Sequence, residues 1–164
     1  MKKIFGILLV AILLLSSAFS EETVRVYDSA ELFSEQEKEQ IEERIRQFRT
    51  ENKIDFAVLT TDDFIAKDDN QDIIAAIFYQ SMDLGIGKNK DGAVFYIDDN
   101  HGRGLVLPQG ELLVNEIMTT MDDIHYIINE CNPFFSEGKF AEGVLHGIDV
   151  LQNMIDAYWE KEMN

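Results

Sequence analysis

Apolar positions along this chain follow two rhythms, and the alternation between them sets the expected architecture. Ile41, Ile45 and Phe48 recur at helical spacing within a run of Glu, Gln and Arg, which predicts an amphipathic helix with one buried stripe. Ser34 with Glu37 three residues later forms a capping box for its start, and Asn52 suits a left-handed residue at its end. Before this helix, Thr23 to Tyr27 reads as a short extended lead-in ending at Asp28; after it, Ile54 to Thr61 is largely apolar and of strand length. Ala93-Val94-Phe95-Tyr96-Ile97 is a continuous apolar run bounded by Asp91-Gly92 and Asp98-Asp99-Asn100, the pattern of a strand buried on both faces. A second run, Leu105-Val106-Leu107, is expected to stop at Pro108-Gln109-Gly110, so a hairpin with a loose or bulged turn is the simplest connection. Two consecutive aspartates then leave the sheet at a strand end, where open α/β sheets place their ligands.

The remaining elements follow the same logic. Ile73, Ile77 and Leu84 predict one face of a second helix, with the acids of Asp68 to Asp72 in its first turn, where the helix dipole favours them. Asp68, Asn70 and Asp72 also imitate the start of an EF-hand loop, but that loop needs glycine at its sixth position and glutamate at its twelfth. Ile73 and Tyr79 stand there, and the helix start is the better reading. Gly85-Ile86-Gly87-Lys88 has too few residues between its glycines for a phosphate loop and runs from a helix into a strand, so it reads as a turn. Thr120 with Asp123 caps a third helix that carries Ile124, Ile127 and Ile128 inward through Cys131 and is expected to end at Pro133. A last helix begins near Lys139 and repeats Val144, Ile148, Leu151, Ile155 and Tyr158 or Trp159, a core stripe. Helices alternating with strands through short joints imply layers of helix on sheet.

Met1 to Ser20 changes the picture of where the chain works. Lys2 and Lys3, an apolar Ile4 to Leu15 and the small-x-small step Ala18-Phe19-Ser20 have the layout of an export signal cleaved before Glu21. The apolar segment is short for a membrane span, though an uncleaved anchor is the alternative. Residues 21–164 then form one domain of 144 residues, able to bury roughly 70% of its unfolded surface. Export, to a bacterial periplasm or to the medium, is the expected localisation, and a monomer the expected state.

Charge narrows the partners. The whole chain carries −17, and loss of Lys2 and Lys3 leaves 12 basic against 31 acidic residues, or −19. Such a field repels phosphate backbones and anionic headgroups, which argues against nucleic acid and direct membrane binding and favours cations or basic protein surfaces. Cys131 is the single cysteine and, between Ile127-Ile128 and Pro133-Phe134, reads as a small buried hydrophobe. There is no Gly-x-Ser-x-Gly elbow, no His-Glu-x-x-His and no cysteine with a histidine nearby in sequence. His125 and His146 fall in helices as ordinary residues; His101, just after Asp98-Asp99, is the histidine worth holding as a candidate, with an ordinary solvated histidine the favoured reading.

Taken in order, Val26-Tyr27-Asp28-Ser29-Ala30-Glu31-Leu32-Phe33-Ser34 with its acidic helix, the strand FAVLTT, Leu84-Gly85-Ile86-Gly87, Lys90-Asp91-Gly92-Ala93-Val94-Phe95, Asp98-Asp99, Gly110-Glu111, Pro133-Phe134-Phe135 and Glu137-Gly138-Lys139-Phe140 with Gly143 resemble TPM domains over about Val24 to Leu151. That family includes exported bacterial proteins and a thylakoid-lumen protein. The resemblance implies a three-layer α/β/α sandwich with a small mixed sheet flanked by about four helices. It also implies calcium binding in some members and acid-phosphatase activity in some. Asp28, Asp91, Asp98 or Asp99, and Glu111 match positions acidic or polar in the family pattern. Asn100 replaces the usual arginine after the strand-end aspartate, with Arg103 the only nearby cation, which weakens a phosphate-holding role; Asp83 also replaces the usual tryptophan before the Gly-x-Gly turn.

Two functions follow. The favoured one is a binding module that docks on an envelope or membrane protein complex through an acidic, calcium-ordered face. Calcium takes six to eight oxygens, and Asp28, Asp98 and Asp99 could supply several at one strand end, with Asp91 and Glu111 a separate pair at the opposite end of the hairpin. The alternative is a metal-dependent phosphatase acting on phosphomonoesters, with Asp98 or Asp99 as nucleophile or base. Turn chemistry alone also favours acids at Asp-Gly and Gly-Glu steps.

Overall fold

The computed structural model describes residues 24–61, 71–99 and 103–164. The export signal, most of the acidic stretch at 62–70 and His101 lie outside the described residues. The elements are β1 (Val26–Asp28), α1 (Glu35–Asn52), β2 (Asp55–Thr61), α2 (Gln71–Ser81), β3 (Gly92–Asp98), β4 (Arg103–Gln109), a π-helical segment (Leu113–Ile117), α3 (Met121–Ser136) and α4 (Phe140–Glu162).

Strands lie in the order β1-β2-β3-β4, the first three parallel and β4 antiparallel to β3. Every residue of β3 is buried, as its unbroken apolar run requires. Residues pointing to one face, among them Phe56, Val58, Phe95, Ile97 and Val106, pack with Ile41, Ile45 and Phe48 of α1 and with the stripes of α3 and α4. Residues pointing to the other, Ala57, Val94 and Tyr96, meet Ala75 and Tyr79 of α2. The result is the three-layer α/β/α sandwich. Because β1→β2 and β2→β3 step the same way across the sheet while α1 and α2 cover opposite faces, the two crossovers have opposite hand. One of them therefore departs from the right-handed rule.

Both capping boxes form, Ser34 with Glu37 and Thr120 with Asp123. Four local expectations are corrected. Lys53, not Asn52, is the left-handed residue closing α1 (φ 57°), because the Asn52 amide is held inside the helix, donating to Phe48 O and to Gln152 Oε1 on α4. In α2, Ile77 is 61% exposed; Ala75 and Tyr79, four residues apart, face the sheet, and Leu84 is buried in the turn beyond the helix. Pro133 does not end α3, which runs on to Ser136. It withholds one N–H, yet the turn it interrupts is fastened to α4 by ring contacts of Phe134 with His146 and of Phe135 with Phe140. Pro108 likewise lies inside β4, opposite Ala93. An edge strand tolerates it, since alternate residues there aim their N–H away from the neighbour.

Close approach of α4 to the sheet depends on Gly147, and to α3 on Gly143. A Cβ on Gly147 would stand 2.5 Å from the Phe95 ring and one on Gly143 2.4 Å from the Phe135 ring, so these positions let aromatic side chains lie flat under the helix.

Candidate functional site

Parallel pairing brings the carboxyl ends of β1, β2 and β3 to one edge. Asp28 stands beside Thr60, Thr61 beside Asp98, and Asp98 opposite Arg103 in the backbone register. Chain order alone does not show this, because Asp28 and Asp98 belong to strands separated by β2.

Asp28 at this edge is consumed by the fold. Its Oδ1 accepts from Leu32 N–H at 2.9 Å and from the Thr60 hydroxyl at 2.6 Å, while Oδ2 accepts from Phe33 N–H at 3.1 Å with Lys38 Nζ at 3.6 Å. The carboxylate closes the turn that leads from β1 into α1. Asp98, the last residue of β3, is fully buried, and Asp99 just beyond it is exposed with its N–H donating to Thr61 O. Burial first, and then the negative charge of Asp98, raise the Tyr96 phenol above its ordinary range.

Beside these two aspartates lies a cavity of about 490 Å³, lined by Ile97, Asp98, Asp99, Asn132, Phe135, Ser136 and Phe140. Asn132 and Ser136 are one turn apart on α3, and Phe140 opens α4, so the end of α3 and the start of α4 both face the cavity. Among the described lining residues none is basic. A somewhat larger recess, about 520 Å³, lies along α1 between Val24, Glu35, Gln36, Lys38, Glu39, Glu42 and Arg46. Its charges compensate one another, with Lys38 paired to Glu35 at 3.0 Å, and Glu42 already accepts from the Arg25 and Val26 amides. It is an open helix flank, and the cavity at the strand ends has the better claim to chemistry.

Asp91 and Glu111 fall at the opposite edge. Asp91 Oδ1 accepts from Leu112 N–H at 2.9 Å and so anchors the chain entering the π-helical segment, while Glu111 is exposed. The five sequence-selected acids thus divide between two edges. Among the described residues no three His, Cys, Asp or Glu side chains converge in a way that would hold a metal ion.

The amino edge also carries a network that sequence reasoning passed over. Asp55, 1% exposed, receives Arg25 through both oxygens, Nε and an Nη each at 3.0 Å, and its Oδ2 also accepts from Gly85 N–H at 3.0 Å. Arg49 Nε stands 2.8 Å from Asp55 Oδ1, but its N–H is not aimed at that oxygen, so the contact is coulombic. Burial, then the charges of Asp55 and Asp91, raise the Tyr79 phenol, which donates to Lys90 O. The available signal was a charged residue in each of two otherwise apolar strand patterns, Val-Arg-Val and Ile-Asp-Phe-Ala-Val.

The model of the TPM domain family matches residues 26–154. No curated protein matches the chain. Among solved structures, the N-terminal domain of a protein from P. gingivalis is similar at 24% identity, over 84% of this chain and 85% of that one, with a TM-score of 0.67. The BA42 protein from the psychrophile Bizionia argentinensis is similar at 16% identity, over 78% and 84%, with a TM-score of 0.64. The N-terminal domain of a Corynebacterium glutamicum protein follows at 13% identity, over 82% and 80%, with a TM-score of 0.56. These likenesses establish the fold.

Proposed function

Because this chain belongs to the TPM domain family, we propose that it is an exported binding module whose carboxyl sheet edge takes calcium and docks on a protein complex of the bacterial envelope. The observation that carries this reading is the placement of exposed Asp99 next to Asp98, at the carboxyl ends of parallel strands and beside a cavity with no basic side chain among its described lining residues. The layout of residues 1–20 supports export, and the −17 charge supports a cationic or basic partner.

The donor set fits calcium only in part. Asp28 has its oxygens engaged by two amides and a hydroxyl and Asp98 is buried, which makes Asp99 the exposed carboxylate among the described residues at this edge. A hard cation there would complete its shell with carbonyl oxygens and water, the arrangement of weak extracellular sites with dissociation constants of roughly 0.1–1 mM. Bound calcium would neutralise the adjacent carboxylates and order the edge for docking. Calcium titration followed by NMR is expected to give saturable shifts at Asp99 and its neighbours that vanish in Asp98→Asn with Asp99→Asn. Absence of saturation at millimolar calcium overturns the calcium assignment.

Phosphomonoester hydrolysis has weaker support. A phosphate dianion entering this cavity would meet the exposed Asp99 carboxylate and, among the described lining residues, no cationic side chain. Were the chain a phosphatase of this kind, turnover would require a divalent metal and disappear in the same double variant.

A further inference from the structure

We propose that the cavity at the carboxyl edge receives an arginine side chain from the docked protein, its guanidinium held between the Phe135–Phe140 wall and the Asp99 carboxylate. This inference rests on the binding-module reading and names the chemistry by which the partner is gripped.

The wall is built rather than incidental. Phe135 and Phe140 stack with ring centroids 5.8 Å apart at 26°, and Phe95 braces Phe135 edge-on at 6.0 Å. Phe135 has its place because α4 carries glycine at position 143. A Cβ there would stand 2.4 Å from its ring, whereas one on Gly104 of β4 would stand 3.5 Å from it, an ordinary contact distance. Both Phe135 and Phe140 remain partly exposed at the cavity, although core aromatic rings are ordinarily covered.

The lining then selects the ligand. Two phenyl rings and Ile97 offer surface to an apolar or planar body, Asp99 supplies a negative charge at the mouth, and Asn132 and Ser136 add polar side chains along one side of α3. An anion would meet the exposed Asp99 carboxylate, and a purely apolar side chain would leave that charge facing it. A bare metal ion gains nothing from the rings. A guanidinium uses every part: it stacks on aromatic faces, donates through a flat fork to a carboxylate, and brings an alkyl stem that covers apolar surface. A volume of about 490 Å³ accommodates one such side chain with water. The chain's strong negative field would steer a basic partner toward it.

The test is an NMR titration of the exported domain in calcium-free buffer with the peptide acetyl-Gly-Arg-Gly-amide, its citrulline counterpart and its lysine counterpart. Expected are saturable shifts centred on Asp99, Asn132, Phe135, Ser136 and Phe140 with the arginine peptide, at least about tenfold weaker binding of the citrulline peptide, and an intermediate response to lysine. Asp99→Asn, at an exposed position, and Phe140→Leu, which keeps apolar volume without the ring, should each weaken arginine binding several-fold while the spectra stay folded. Equal binding of citrulline, shifts spread along the acidic face of α1, or indifference to both variants would overturn the proposal. If calcium saturates the edge while arginine does not bind, the arginine assignment fails and the binding-module reading stands. If arginine binds as described while calcium gives no response, the proposal holds and the calcium assignment fails.

Discussion

At the amino edge of the sheet, Asp55 is buried and engaged by Arg25, Arg49 and the Gly85 amide, and Asp91 is spent on the Leu112 amide. At the carboxyl edge, Asp99 lies exposed beside an aromatic cavity only one residue from buried Asp98. The residue type is the same; its partner inventory differs. A carboxylate whose lone pairs are already filled by amides, hydroxyls and guanidinium groups holds the fold together, and one that keeps solvent and a cavity within reach is available for a ligand. Asp28 shows that the division does not follow the edges strictly, for it belongs to the carboxyl edge by register yet behaves as a structural acid.

The largest expected effect breaks the amino edge. Asp55→Ala leaves Arg25 buried without its partner and is expected to destabilise the domain by about 3–5 kcal/mol in chemical denaturation; a loss under about 1 kcal/mol would show that water replaces the carboxylate cheaply. Next comes Asp28→Ala, which orphans two amides and a hydroxyl and should cost about 1–3 kcal/mol. Any calcium response should survive in that variant, and its loss from a folded Asp28→Ala protein would move Asp28 into the ligand-binding class.

Gly143→Ala sharpens the comparison from the other side. The added methyl must displace Phe135, at a cost of about 1–3 kcal/mol, and the ring resonances of Phe135 and Phe140 should shift while those around Tyr79 stay in place. Asp99→Asn is expected to change stability by less than about 0.5 kcal/mol, as suits an exposed side chain, and to act on binding alone.

The smallest effect at neutral pH concerns tyrosines near each group of acids. Burial, together with Asp55 and Asp91 for Tyr79 and Asp98 for Tyr96, raises both phenols above the ordinary value of 10.0. A folded-state pKa raised above the unfolded one gives a stabilisation present below about pH 10 and lost as pH rises further. In an alkaline titration followed by phenolate absorbance, Tyr79 and Tyr96 should therefore ionise only together with unfolding. Early, reversible ionisation of either would mean that its packing opens.

Much of the architecture follows from local pattern. The stripe Ile41, Ile45 and Phe48, the two capping boxes, the unbroken run of β3 and the long stripe of α4 each name an element because periodicity and terminal hydrogen bonding act over a few residues. Where local signals misled, a tertiary contact had outweighed them. Asn52 is held by Gln152 across to α4, Pro133 is carried through a helix fastened by ring contacts, and Pro108 is tolerated because β4 is an edge. Ala75 and Tyr79, in place of Ile77, are the residues of α2 that pack against Ala57, Val94 and Tyr96 of the sheet.

By itself, the sequence determined the layered α/β class, the strongly acidic charge balance, and the positions of the candidate acids along the chain. Only the tertiary structure decided which of those acids share an edge and which stay exposed. Strand order and register, not sequence separation, bring Asp28 within one strand of Asp98 and send Asp91 and Glu111 to the far side. Phe135, Phe140 and Asn132 join the cavity only because α3 and α4 fold back over the carboxyl edge. Long-range packing sets both outcomes, because the hydrogen bonds that engage Asp28 and Asp55 come from residues up to 32 positions away.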